Sequence, residues 1–181
     1  MRYIESPDGC LIAETDTSIF LAGGITDCPD WQAELAAMLR DTDLVLFNPR
    51  RNDFPIHDPT AAEKQITWEH DRLRQATAVS FWFPAETLCP IVLYELGAWS
   101  MTSKPIFIGI HPNYKRRQDV EIQTRLIRPD VPIVYSIADL AAALTRVAEL
   151  TEENAKLRKE WNEAHAANEL LTREHAEVAA L

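Results

Sequence analysis

Apolar residues along this chain come in short bursts, separated by stretches in which they recur every three or four positions, until about residue 140, where a longer and stricter rhythm takes over. The bursts read as buried strands and the stretches between them as helices with one apolar face. Residues 18–22 form the first main burst and run directly into Gly23-Gly24; Pro29 then opens a helix whose Trp31, Leu35, Met38 and Leu39 share a face. The unit repeats. A strand over 44–47 ends in Asn48-Pro49-Arg50-Arg51, and a polar loop leads to Asp58-Pro59, an N-cap and first-turn pair for a helix reaching Ala76. Strands follow over 78–83, ending at Pro84, over 105–110 and over 131–135, with one helix starting at Pro90 and a polar one over 116–127. Ahead of these, residues 1–13 read as a hairpin, Arg2-Tyr3-Ile4 and Leu11-Ile12-Ala13 flanking the turn Pro7-Asp8-Gly9.

Strands alternating with helices imply a five-stranded parallel sheet with helices on both faces, a three-layer α/β architecture of the Rossmann or flavodoxin-like kind, because right-handed crossovers permit little else. The hairpin is expected to edge or cover that sheet. Ligands of such sheets bind at the carboxyl ends of the strands, where strand order reverses. The Gly23-Gly24 turn, the loop from Asn48 to Arg51, the Pro84 loop and the start of the Pro90 helix all lie at that end.

From residue 140 a heptad register places Leu140, Val147, Asn154, Trp161, Asn168 and His175 at a, with Ala143, Leu150, Leu157, Ala164, Leu171 and Val178 at d. A long C-terminal helix and a coiled coil are expected, so the chain divides into an α/β domain over 1–137 and a helical segment over 138–181. Asparagine at a, as at Asn154 and Asn168, fixes register in few-stranded parallel bundles at some cost in stability. His165 and His175 read as solvated or interfacial rather than as metal ligands.

Two carboxylates stand out against this pattern. In Thr87 to Trp99 the apolar run wraps all sides of the helix, which implies burial, and Glu95 interrupts it. Near the positive end of the helix dipole an anion is favoured by roughly 0.3 to 1 kcal/mol, so Glu95 is expected to be ionised. In the preceding helix the buried stripe is expected to be Ala62, Ile66, Glu69, Leu73 and Ala76, while Asp71 points away with Lys64 and Gln75. Two buried carboxylates at the ligand edge of an α/β sheet suit glycosyl transfer through a covalent intermediate, one attacking the anomeric carbon and the other managing the leaving group's proton. Burial on an apolar face raises the pKa of Glu69 and fits it for the acid role. The Gly23-Gly24 turn lets backbone approach a ligand, and Arg50 and Arg51 are candidates to hold a phosphate or a base carbonyl.

Composition narrows the partners. The chain has 181 residues, a net charge of -10 and a 46% hydrophobic share, enough for one core plus an appendage but wrong in sign for a nucleic-acid polymer. Cys10, Cys28 and Cys89 form neither a metal motif nor a disulfide framework, and no signal-peptide pattern or membrane-length apolar run occurs, so a reduced cytoplasmic protein is expected.

Ile-Phe-Leu-Ala-Gly-Gly-Ile, then E-x-x-x-L-x-x-A from Glu69 to Ala76, Phe-Trp-Phe-Pro, and Tyr-Glu-Leu-Gly-Ala-Trp with Ser-Lys-Pro-Ile-Phe-Ile-Gly-Ile behind it, resemble the nucleoside 2-deoxyribosyltransferase family and its related nucleoside and nucleotide N-glycosidases over about residues 18–135. The resemblance implies that Glu95 is the nucleophile that forms a glycosyl ester and that Glu69, where the family carries an aspartate, assists at the leaving base. It further implies a nucleoside or nucleotide substrate, no cofactor or metal, and substrate contacts from Gly23, Gly24, Ile25, Asn48, Arg50, Arg51, Pro84 and Tyr94. A homo-oligomer is implied as well, through the α/β domain and the C-terminal helix. The chain departs from the family pattern at Phe20, where a tyrosine bonds the nucleophile and for which Tyr94 or a water is the candidate substitute, and at Cys89, where an aspartate reads the base. Ile25-Thr26 replace the arginine that follows the glycines in some nucleotide-hydrolysing relatives. Alternatives left open are a nucleoside 5′-monophosphate N-glycosidase and a non-catalytic nucleotide-binding or scaffold protein assembled by its coiled coil.

Overall fold

The computed structural model describes residues 1–179 apart from Cys10, Asn52 and Ile56, with side chains described as far as residue 166. Two compact units divide the chain, Met1–Thr145 and Arg146–Leu181. The first holds a six-stranded, all-parallel sheet in the order β1-β3-β2-β4-β5-β6. Its strands are β1 (Arg2–Glu5), β2 (Ser18–Gly23), β3 (Val45–Asn48), β4 (Ala78–Phe83), β5 (Ile106–Ile110) and β6 (Ile133–Val134). The helices are α1 (Trp31–Met38), α2 (Ala61–Gln75), α3 (Pro90–Ser100), α4 (Arg117–Ile127) and the long α5 (Ile137–Ala179). Strand order reverses between β2 and β4, as in doubly wound sheets.

Burial of both sheet faces follows from strands that are apolar at nearly every position. Every residue of β2, β3 and β4 is buried. Trp68 and Leu73 of α2, Val92 and Leu96 of α3 and Val120 of α4 cover one face, over Phe20, Phe47, Phe81 and Ile108. Alternate strand residues serve the other face. There Trp31 of α1 lies against Gly23, and Leu140 of α5 lies against Gly109, two places where a Cβ would meet ring or side-chain carbon.

The expected N-terminal hairpin does not form. Residues 2–5 instead add a sixth strand to the sheet, parallel to β3 and paired from Arg2 with Val45 to Glu5 with Asn48. The turn signal is real, since Asp8 N–H donates to Glu5 O at 2.8 Å, but Leu11 is 95% exposed and residues 11–13 make no strand. A three-residue arm offers few ladder bonds, whereas the open edge of β3 offers a full register to β1. This placement carries Ser6 to α2, where its hydroxyl donates to Gln65 Oε1 at 2.6 Å.

Four further expectations shift. On α1, Gln32 is fully buried and Met38 is 46% exposed, so the glutamine takes the inward position. On α2 the buried face is Ala61, Trp68, Leu73 and Ala76, while Ala62 and Ile66 are exposed. On α3 only Val92, Leu96 and Ser100 are buried; Ile91 and Tyr94 are exposed, so an apolar helix here leaves much of its surface uncovered. The heptad stripe also begins later than its pattern, because Leu140, Ala141 and Leu144 are core residues of the first unit. Asn168, Leu171, His175 and Val178 lie outside the described side chains.

Candidate active site

A groove of about 700 Å³ runs between α2 and α3, and both singled-out carboxylates open into it. Ala62, Gln65, Ile66, Glu69, His70, Leu73 and Arg74 form one wall; Ile91, Tyr94, Glu95, Ala98, Trp99 and Thr102 form the other, and Phe54 closes an end. Of the stripe anticipated on α2, Ala62, Ile66 and Glu69 stand on a wall of this groove, Leu73 is buried at its floor and Ala76 is core.

Each wall has a local cause. At the start of α3, Cys89 holds the left-handed conformation at φ 48° and Pro90 supplies the first helical residue, so the chain turns sharply into the helix. Tyr114 helps to hold that turn, donating its hydroxyl to Leu88 O at 2.8 Å while its ring lies 5.2 Å from Phe83. At the other end Lys104 closes the C-terminus of α2, its ammonium donating to the carbonyls of Leu73, Arg74 and Ala76. The same ammonium lies 4.9 Å from the ring centre of Trp99, so one side chain ties the far ends of both walls together.

Glu95 lies in the second turn of α3, beyond the reach of the helix-start field, and burial decides its protonation. Desolvation raises its pKa to about 8, and the neighbouring Glu69 charge adds to the rise. The expectation of an ionised Glu95 is therefore corrected, because burial favours its neutral form. Glu69 is raised too, by burial, against which the amide of Gln65 stabilises its charged form. Gln65 is fully used: its Nε2 donates at 2.8 Å both to Glu69 Oε1 and to Pro49 O, and its Oε1 accepts from Ser6. Both carboxyls are therefore held above the ordinary glutamate range, Glu95 by burial and then by the Glu69 charge, Glu69 by burial alone with the Gln65 hydrogen bond working against it.

The remaining candidates are placed elsewhere. Tyr94 lines the groove and is 78% exposed. Gly23, Gly24, Ile25, Asn48, Arg50, Arg51 and Pro84 are not among the groove's walls. The two glycines are buried where neighbours press on the backbone: a Cβ on Gly23 would meet Trp31 at 2.3 Å, and one on Gly24 would meet Pro84 and Thr87 at 2.7 Å. Neither has a positive φ, so close approach and not turn geometry demands them. Asn48 joins β1 to β3, donating to Tyr3 Oη at 2.7 Å and accepting from Arg50 N–H at 3.0 Å.

Arg50 is committed to the loop after β2. Its Nε donates to Gln32 Oε1 at 2.9 Å, its Nη2 to Pro29 O at 3.0 Å and to Gly24 O at 3.4 Å, and Asp30 lies 3.4 Å from Nε. Arg51 stands 3.6 Å from Asp53 and 5.8 Å from the Phe54 ring centre. Phe20 lies below the groove with its ring 6.3 Å from that of Trp68, and it has no hydroxyl to offer Glu95. Cys89 is buried and its thiol is pushed up to about 12 by desolvation, which keeps it neutral. Sequence reasoning missed Gln65, whose position four residues before Glu69 on one helix face was the available signal, and Lys104, whose role depends on a contact 28 to 31 residues away.

A doubly wound parallel sheet with two carboxylates sharing one apolar groove defines an α/β protein equipped for small-molecule chemistry. Residues 16–114 match the family model described as nucleoside 2-deoxyribosyltransferase like, and the chain belongs to that family. No curated protein matches the chain.

Proposed function

We propose that this protein cleaves the N-glycosidic bond of a nucleoside or nucleotide, 2-deoxyribosyl substrates foremost, through a glycosyl ester on Glu95. The observation that carries the reading is that Glu95 and Glu69 open into one groove, where the Glu69 charge adds to the burial that raises the Glu95 pKa. In the first step a carboxylate oxygen of Glu95 forms a bond to C1′ as the C1′–N bond breaks, and the base nitrogen takes its proton from Glu69. In the second, an acceptor base or water attacks C1′, the ester bond breaks, and Glu69 receives the acceptor's proton. The reactive arrangement needs Glu95 ionised, whereas burial favours its neutral form; substrate binding must therefore lower the Glu95 pKa. Ile66 and Ile91 on the walls are exposed, so an acceptor base and water both have access to the ester, and transfer and hydrolysis share this chemistry.

The test is incubation with a panel of nucleosides and 5′-monophosphates, reading free base by chromatography and a sugar adduct on Glu95 by mass spectrometry. Release of base by the native chain, its loss in Glu95→Gln and an adduct on the Glu95 peptide support the proposal; full activity in that variant defeats it. A second reading, a nucleotide-binding relative without catalysis, draws on the Phe20 and Cys89 departures. It predicts binding of a nucleoside with no base released.

A further inference from the structure

The stretch of α5 within the second unit carries an uncovered apolar seam. Leu150, Leu157 and Trp161 are 40%, 55% and 63% exposed, although they occupy d, d and a of the heptad register begun at Val147. Polar pairs mark the outer side of the helix, where Lys159 lies 3.9 Å from Glu163 one turn on. Isolated, such a stripe leaves Leu and Trp in water; a second helix bearing the same stripe removes them from it.

We infer that this seam is one half of a parallel, in-register, two-stranded coiled coil whose other strand is a second copy of this chain. Charge complementarity selects the partner and its direction. The g positions of the described side chains are Arg146, Glu153 and Glu160, and the e positions include Arg158 and His165. In a parallel pair each g residue faces the e residue five places on in the other strand, so Glu153 meets Arg158 of the second copy and Glu160 meets His165 of the second copy. By symmetry each contact occurs twice. An antiparallel pair brings e against e, where Arg158 faces only Thr151, Arg158 or His165 of the other strand and meets no carboxylate. Leucine at d with valine and asparagine at a favours two strands over three or four, and Asn154 facing its own copy buries an amide pair only when the register is exact to the residue.

Sedimentation velocity on the full chain, with charge variants, tests this. The native chain is expected to dimerise at micromolar concentration. Glu153→Arg and Arg158→Glu each place like charges across the seam and should weaken association roughly tenfold, while the double variant restores opposite charges and should recover it. A native chain that sediments as a monomer or a trimer overturns the inference. So does a double variant that fails to recover what the single variants lose, as an antiparallel pair requires, or association that ignores all three variants, as contact through another surface requires.

Discussion

Glu69 opens into the same groove as Glu95 and adds its charge to the burial that lifts the Glu95 pKa to about 8. The sign of the consequence follows from linkage. The folded chain holds a proton on Glu95 that the unfolded chain releases near 4.5, so the contribution to stability is whole below that pH and is lost as pH rises through about 8. Glu95→Gln cannot ionise and should escape this loss. Melting temperatures of the two proteins should draw apart between pH 5 and 9, the variant ending several degrees the higher; parallel curves would mean that Glu95 is not held neutral by the fold.

The same coupling makes a kinetic prediction. Glu69→Gln removes the repelling charge, so Glu95 should ionise at lower pH and the acid limb of the pH–rate profile should move down with it. On substrates whose base leaves without a proton the variant should stay active, and on ordinary bases it should lose about 10²- to 10⁴-fold. An unmoved acid limb would separate the two carboxylates energetically.

Gln65→Leu tests how Glu69 is held. The amide offsets the burial of Glu69 and anchors it to Pro49 and Ser6, so its loss should raise the Glu69 pKa further. Carbon-13 titration of the glutamate carboxyls should show that rise while the fold, read by amide spectra, is kept.

Lys104→Met should cost about 1 to 3 kcal/mol, since three carbonyls at the end of α2 lose their donor. Denaturant unfolding measures it. Because the same side chain touches Trp99, activity should fall further than stability alone explains.

Gly24→Ala should destabilise by about 1 to 3 kcal/mol, since its methyl meets Pro84 and Thr87 at 2.7 Å and Cys89 Sγ at 3.0 Å. The displacement reaches the first turn of α3, so substrate affinity should weaken as well, measured as a change in KM.

Much of the α/β order was legible because period is a local property. Apolar bursts at β2, β4 and β5 and the Pro90 start of α3 stand in the chain as they stand in the fold. The first strand was not, because residues 1–13 carry a genuine turn signal and only the free edge of β3, more than 30 residues away, offered the better pairing. Helical phase singled out Glu69 over Asp71, yet it misjudged which side was core: Trp68 fills the space beneath and leaves Ile66 on the groove.

By itself, then, the sequence determined the alternation of elements, the two acidic side chains worth attention and the heptad rhythm of the tail, all set by spacing along a few turns or one strand. Tertiary structure decided that Glu69 and Glu95 open into a common groove, that Arg50 is consumed by the loop it braces, and that Glu95 is protonated more readily than its helix position suggests. The physical reason is that desolvation and charge repulsion depend on what the rest of the chain brings within a few ångströms, and no local pattern carries that information.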